Sequence, residues 1–199
     1  MAPRPVIIDC DPGQDDAIAL LVALASPEML HVLGVTCVAG NVPLARTQTN
    51  ARRICVLAGR SDLPVFAGCP HPLLQPLKTA EAVHGESGMD GSGLPEIPDM
   101  ALQGRHAVDF IIDACLSPQR RDGPLCGSGP LSNIAMALAK AATHPGTIRA
   151  IACVGGASRS PRKSTDRATF DQRHERHAGR TVFGHGGPAG RFVRSRTSQ

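Results

Sequence analysis

Tryptophan and tyrosine are absent from this 199-residue chain, and aromatic residues make up only 3% of it. A core without large rings must be aliphatic. With 42% apolar residues, that suits a Val/Ile/Leu-rich parallel sheet better than an aromatic sandwich. No run of about 18 apolar residues occurs, which argues against a membrane span. No basic-then-apolar leader precedes the first apolar run, so cytoplasmic residence is the expectation. Seven cysteines are present, but the number is odd and there is no C-x-x-C pair. They read as buried, reduced thiols rather than a zinc site or a disulfide framework.

Residues 158–199 contain no Leu, Ile or Met. They hold ten Arg/Lys against three Asp/Glu, a net of +7, whereas residues 1–157 carry a net of −3. The whole-chain charge of +4 therefore belongs to the last segment, and the body gives no reason to expect nucleic-acid binding. His174, His177 and His185 follow no ligand spacing. The expectation is a single α/β domain over 1–157 and a basic, disordered or aberrant tail over 158–199.

Within the body, strand patterns alternate with helical ones. Pro5–Ile8, His31–Val38, Pro64–Ala67, Pro124–Gly127 and Ile148–Val154 read as strands. Ala17–Leu24, Leu44–Leu57, Ala107–Leu116 and Ser132 to about Ala142 read as helices, with Gly59 as a C-cap and Ser132 as a cap. Phe110, Ile111 and Leu116 are expected on a buried side. Residues 68–104, rich in Gly and Pro, read as a long functional loop. The alternation predicts a mostly parallel sheet with helices on both faces and ligands outside the carboxyl ends of the strands.

The densest chemistry lies at the end of the first strand. Asp9-Cys10-Asp11-Pro12-Gly13-Gln14-Asp15-Asp16-Ala17 places four carboxylates within eight residues. Pro12-Gly13 makes the turn, and helix-forming residues follow. Like charges this close need solvent, protons or a cation, and hard oxygen ligands suit Ca²⁺ or Mg²⁺. A plainer role is also available, with Asp15 and Asp16 favouring a helix N-terminus. The strand-end position and the Pro-Gly turn favour a metal site.

This segment resembles the signature of the nucleoside hydrolases, the inosine-uridine preferring nucleoside N-ribohydrolase family, whose pattern is Asp-x-Asp-Pro-Gly-x-Asp-Asp-Ala. Val35–Val42, with its Gly40-Asn41, is similar to the family's second strand. Val83-His84-Gly85-Glu86-Ser87-Gly88 is similar to its active-site loop, and Gly129-Pro130-Leu131-Ser132-Asn133-Ile134-Ala135 to its Gly-x-Leu-Thr-Asn-Ile-Ala turn. The resemblance covers about residues 5–157. It implies a Rossmann-like α/β core and hydrolysis of the N-glycosidic bond of ribonucleosides such as inosine or uridine by Ca²⁺-bound water. It also implies a role in nucleoside catabolism and a homo-oligomer.

By the same resemblance, Asp11 is the base and a metal ligand, Asp16 a second ligand, and Ser128, where the family has Thr, a ligand through its backbone carbonyl. Asp15, Asn41 and His84 would meet the ribose, and Asp9 would support the site from behind. Taken singly, Asn41 and His84 would be a turn residue and a surface loop histidine, Ser128 a residue preceding a helix, and Asn133 structural; their joint order behind the acidic signature favours the functional reading of the first three. The family's last Asp ligand, its leaving-group His and its Glu and Asn for the ribose 5′ side have no match here. A truncated or frame-shifted product with impaired activity is therefore expected. Two alternatives stand beside this reading: an inactive remnant that binds ribose or a partner, and a haloacid-dehalogenase-like phosphatase. Gly13 and the Asp15-Asp16 pair argue against the phosphatase.

Overall fold

The computed structural model describes residues 2–94, 98–117, 125–141, 150–153 and 191–192. In chain order the elements are β1 (Arg4–Cys10), α1 (Gln14–Leu24), β2 (Leu30–Cys37), α2 (Leu44–Leu57), β3 (Val65–Ala67), α3 (Glu81–His84), α4 (Ala107–Leu116), β4 (Leu125–Gly127), α5 (Ser132–Lys140), β5 (Ala150–Cys153) and β6 (Arg191–Phe192). The strands form one sheet in the order β3-β2-β1-β4-β5-β6, and every pairing is parallel. Order 3-2-1-4-5-6 is that of a doubly wound fold, in which the strand order reverses between β1 and β4 and ligands gather at that crevice.

Strand alternation separates two cores. Val6, Ile8 and Cys10 of β1 join Ala17, Leu20 and Leu24 of α1 and Ala51, Ile54 and Cys55 of α2. Ile7 joins Phe110, Ile111 and Ala114 of α4, Ile134 and Ala137 of α5, and Leu125 and Ile151. Helices thus cover both faces, as the pattern predicted.

The β1–β2 register slips by one residue between Val6 and Ile7, so that Val6 faces Val32 and Ile8 faces Val35. The extra residue keeps both valines on the α1/α2 side, which an unbroken period of two would not allow. Gly34 follows the slip. A Cβ there would lie 2.8 Å from Phe110 Cζ, so the bare backbone admits the Phe110 ring, which stacks on Phe66 with centroids 4.0 Å apart.

Helices α2 and α4 have the predicted bounds. Three local expectations are corrected. Leu116 is 38% exposed, because it is the last residue of α4 and lies past the end of the sheet-facing stripe. Ser132 is the first residue of α5 and is buried; the cap is Leu131, with no side-chain cap bond. The loop over 68–104 contains the short helix α3 and a parallel bridge from Phe66 to Gln103.

Cys10, Cys37, Cys55 and Cys115 are free and buried, Cys69 is buried, and Cys126 is free and half-buried. Among the described residues no helix is long and apolar enough to cross a membrane. The expected disordered tail falls outside the described residues, apart from Arg191–Phe192, which form β6 beside β5.

Candidate active site

The carboxyl end of β1 delivers Asp9 and Asp11 to the crevice between β2 and β4, where Asp9 pairs in register with Thr36 on one side and Gly127 on the other. Asp9 is fully buried, and its Oδ1 accepts from Thr36 Oγ1 at 2.6 Å and Asn133 Nδ2 at 2.8 Å. Asn133 also donates to Cys37 O at 3.0 Å and accepts from Cys69 N at 2.8 Å. One α5 side chain therefore ties the ends of β1 and β2 to the segment after β3. Gly68 leaves room for it, since a Cβ there would overlap Asn133 Oδ1.

Asp11 is 2% exposed. Its Oδ2 accepts the Asn41 backbone N–H at 2.8 Å, and its carbonyl accepts Asn41 Nδ2 at 2.9 Å. Two glycines form its cradle. A Cβ on Gly40 would overlap Asp11 Oδ2, and one on Gly129 would lie 2.5 Å from Asp11 Oδ1. Each of these turns must therefore lack a side chain for the carboxylate to occupy its place.

Asp16 stands in the first turn of α1 and accepts from Asp11 N at 3.3 Å. Ser128 follows β4; its N–H and its hydroxyl both donate to Asp9 O, at 2.9 and 3.4 Å, and the hydroxyl works against the rise in Asp16 proton affinity. Asp15 is exposed on the first turn of α1. The N-cap of that helix is Gly13, without a side-chain cap bond, so both Asp15 and Asp16 can favour the helix dipole.

His84 ends α3 and lies half-buried over the turn, so close that a Cβ on Gly13 would sit 2.7 Å from its Nδ1. That nitrogen is buried and has no hydrogen-bond partner among the described residues. The structure thus brings Asp9, Asp11, Asp16, Asn41, Ser128 and His84 to one crevice, with Asp15 on its outer rim.

Burial pushes the Asp11 carboxyl well above the usual range, and the neighbouring Asp16 charge raises it further, against the Asn41 N–H, which lowers it. Asp16 is also raised, by burial first, with the Ser128 hydrogen bond opposing. Two buried carboxylates held above their ordinary values call for a proton or a cation. The oxygens of Asp11, Asp16 and Ser128 are the hard donors that Ca²⁺ or Mg²⁺ takes. Among the described residues no three His, Cys, Asp or Glu side chains stand close enough together to hold a metal ion by themselves.

Residue types and spacing alone do not single out several contributors. Thr36 and Asn133 secure Asp9, Gly40 and Gly129 cradle Asp11, and Asn50 of α2 donates to Pro12 O at 3.1 Å. The Gly40-Asn41 and Gly129-to-Asn133 motifs contain most of them. Asn50 carried no signal, because its partners lie 37 and 38 residues away.

An open parallel sheet whose switch point holds buried carboxylates defines a doubly wound α/β protein with a buried acidic site. The sequence model of the inosine-uridine preferring nucleoside hydrolases matches residues 6–195. An uncharacterized protein of Schizosaccharomyces pombe is 45% identical over 183 residues, 92% of this chain and 58% of its own. The pyrimidine-specific ribonucleoside hydrolase RihA of a Shewanella species is 46% identical over 157 residues, 78% of this chain and 48% of its own. Among solved structures, the plant nucleoside hydrolase PpNRh1 superposes with a TM-score of 0.70 at 35% identity, over 78% of this chain and 48% of that one. The chain belongs to the inosine-uridine preferring nucleoside hydrolase family. It spans about half the length of the curated relatives it matches.

Proposed function

We propose that this chain carries the water-activating half of a ribonucleoside hydrolase site, which cleaves the N-glycosidic bond to give ribose and a free base. The observation that carries the reading is the Asp11 carboxylate. It is buried at a sheet switch point, gripped by Asn41 and two glycine turns, and raised in proton affinity. A general base is most effective when its pKa is lifted toward the working pH, and burial does that here.

In this reading Asp11 takes the proton of the attacking water. Asn41, fixed by two bonds to Asp11, turns its remaining amide oxygen toward a ribose hydroxyl. Asp15 on the rim meets a second hydroxyl. His84 presents its outer ring edge to the sugar, since Nδ1 is turned against Gly13. Asp9, locked by Thr36 and Asn133, keeps the end of β1 rigid and its charge off the reacting centre. The negative crevice favours the positive charge that builds on the ribose in an oxocarbenium-like transition state. Ca²⁺ held by Asp11, Asp16 and the Ser128 carbonyl would lower the pKa of its bound water and orient the sugar diol.

The test is release of reducing sugar from inosine and uridine by purified protein, with and without chelator, beside phosphate release from a phosphomonoester. Chelator-sensitive ribose release supports the reading. Chelator-resistant hydrolysis removes the ion from it. Phosphate release without ribose release overturns it.

A further inference from the structure

We infer that Asn50 is a positioning residue that clamps the 80–90 loop to the Pro12–Gly13 turn and so sets where His84 stands relative to Asp11. Asn50 is 1% exposed on the inner side of α2. Both hydrogens of its amide are used, one on Pro12 O at 3.1 Å and one on Ser87 O at 2.8 Å. Its oxygen accepts from Arg53 Nη1 at 3.3 Å, one helical turn along. A guanidinium can only donate, so Arg53 fixes which end of the amide faces the two carbonyls. The reverse orientation would set three oxygens against one another. A single side chain therefore joins the strand-end turn that carries the acids to the loop that carries the histidine.

The loop is built to accept that clamp. Gly88 has φ +81°, and a Cβ there would lie 2.9 Å from Val42 and 3.1 Å from Asn50 Nδ2, so only glycine lets the Ser87 carbonyl approach. Asp90 accepts from the N–H groups of Glu86 and Ser87 and from the Ser87 hydroxyl, which stiffens the stretch around the clamped carbonyl. Met89 is buried in the α1/α2 core, and Ala80 N donates to Asn41 O at 2.8 Å. With the Asn50 bond, both ends of the loop are tied beside the acidic turn, and His84 lies between the ties. Losing Asn50 leaves Met89 in place but frees the Ser87 end and strands two carbonyls.

The kinetic consequence rests on the hydrolase reading; the clamp itself does not. Full-length wild type, Asn50→Ala and Gly88→Ala are compared, with Thr49→Ala as a control, a half-buried α2 neighbour whose hydroxyl bonds Ala45 O within its own helix. Amide hydrogen exchange is followed over 80–90, and the rate of diethyl pyrocarbonate modification of His84 is measured against His31, His71 and His106. Asn50→Ala is expected to raise exchange of the 85–90 amides and the His84 modification rate by roughly tenfold, the factor that about 1.4 kcal/mol represents. The other histidines and the sheet should stay unchanged. Gly88→Ala, which wedges the same junction from the loop side, should do likewise and decides alone if Asn50→Ala does not fold. Where ribose release is measurable, kcat/KM falls while the kcat of Thr49→Ala is unaltered. Unchanged loop exchange and His84 reactivity overturn the clamp, as does a rise spread evenly over the whole chain. A wild type that releases no ribose defeats the hydrolase reading and leaves exchange and modification to decide the clamp.

Discussion

Among the described residues, three carboxylates on the outside of the molecule meet cations, whereas those at the end of β1 meet neutral donors and each other. Asp62 pairs with Arg60 at 2.8 Å, Asp109 with Lys140 at 2.5 Å, and Asp113 with Arg105. The hydrogen bonds from Arg60 and Lys140 hold Asp62 and Asp109 below the usual carboxylate range. Asp11 and Asp16 are displaced the other way, by burial. The surface acids are thus easy to keep ionised and contribute little. The buried pair is costly to ionise and gains its use from that cost, since it holds proton affinity or a cation in reserve.

The sharpest way to break this contrast is Asp11→Asn. The amide keeps the shape in the Gly40–Gly129 cradle but removes the proton acceptor. Under the hydrolase reading, ribose release should fall by ~10²–10⁴-fold, the usual contribution of a general base. An Asp11→Asn variant as fast as wild type would end the assignment. Cys10→Ser, between the two acids but facing the α1/α2 core, should cost far less rate.

Asn133→Ala tests the support rather than the base. It removes two donors and one acceptor from buried partners, among them Asp9 Oδ1. Each stranded buried group costs about 1–3 kcal/mol, so a loss near ~3 kcal/mol is expected in a denaturant titration. A loss below about 1 kcal/mol would mean that the ends of β1 and β2 and the segment after β3 are held by the backbone ladder alone.

Much of this arrangement is visible in the sequence, for reasons that differ by element. The bounds of α2 and α4 follow from their apolar periodicity and from the Gly and Pro residues around them. The acidic turn and Gly40-Asn41 are local motifs, so their place at strand ends can be read residue by residue. What escapes such reading is set by partners far along the chain. Nothing in β4 announces that it pairs with β1 rather than β3, yet that insertion creates the crevice. Ser132 looks like a cap until tertiary packing moves the helix start to it. Asn50 looks like one more polar residue on a helix rich in Arg and Thr, because its partners Pro12 and Ser87 become neighbours only in the fold.

A smaller effect separates the two carboxylate settings by pH. In metal-free protein, Asp11 and Asp16 have native proton affinities raised above their unfolded ones. Below the unfolded carboxylate range both states are protonated, and the stabilisation is fully present. As pH rises the unfolded chain ionises first, so this stability is lost as pH climbs through the raised native values. With chelator present, Asp11→Asn should flatten that decline, and added Ca²⁺ should recover stability in wild type more than in the variant. Equal Ca²⁺ stabilisation of both proteins would remove Asp11 from the ion site.

The smallest effect is expected on the surface. Arg60 meets Asp62 with two bonds, Nε to Oδ1 at 2.8 Å and Nη2 to Oδ2 at 3.0 Å, which is the best ion-pair geometry in the described structure. Yet Asp62 is 66% exposed and lies two residues from its partner, so the pair closes a turn that already has its own backbone bonds from Arg60 N to Cys55 O and from Leu63 N to Arg60 O. Solvent screening leaves such pairs worth less than about 1 kcal/mol. Asp62→Asn should therefore shift the denaturation midpoint only slightly, the shift should shrink as salt is raised, and ribose release should not change. A double-mutant cycle with Arg60→Met measures the coupling directly. A coupling as large as the Asn133→Ala loss would erase the contrast between the two settings, because surface acids would then be as consequential to the fold as the buried network behind Asp11.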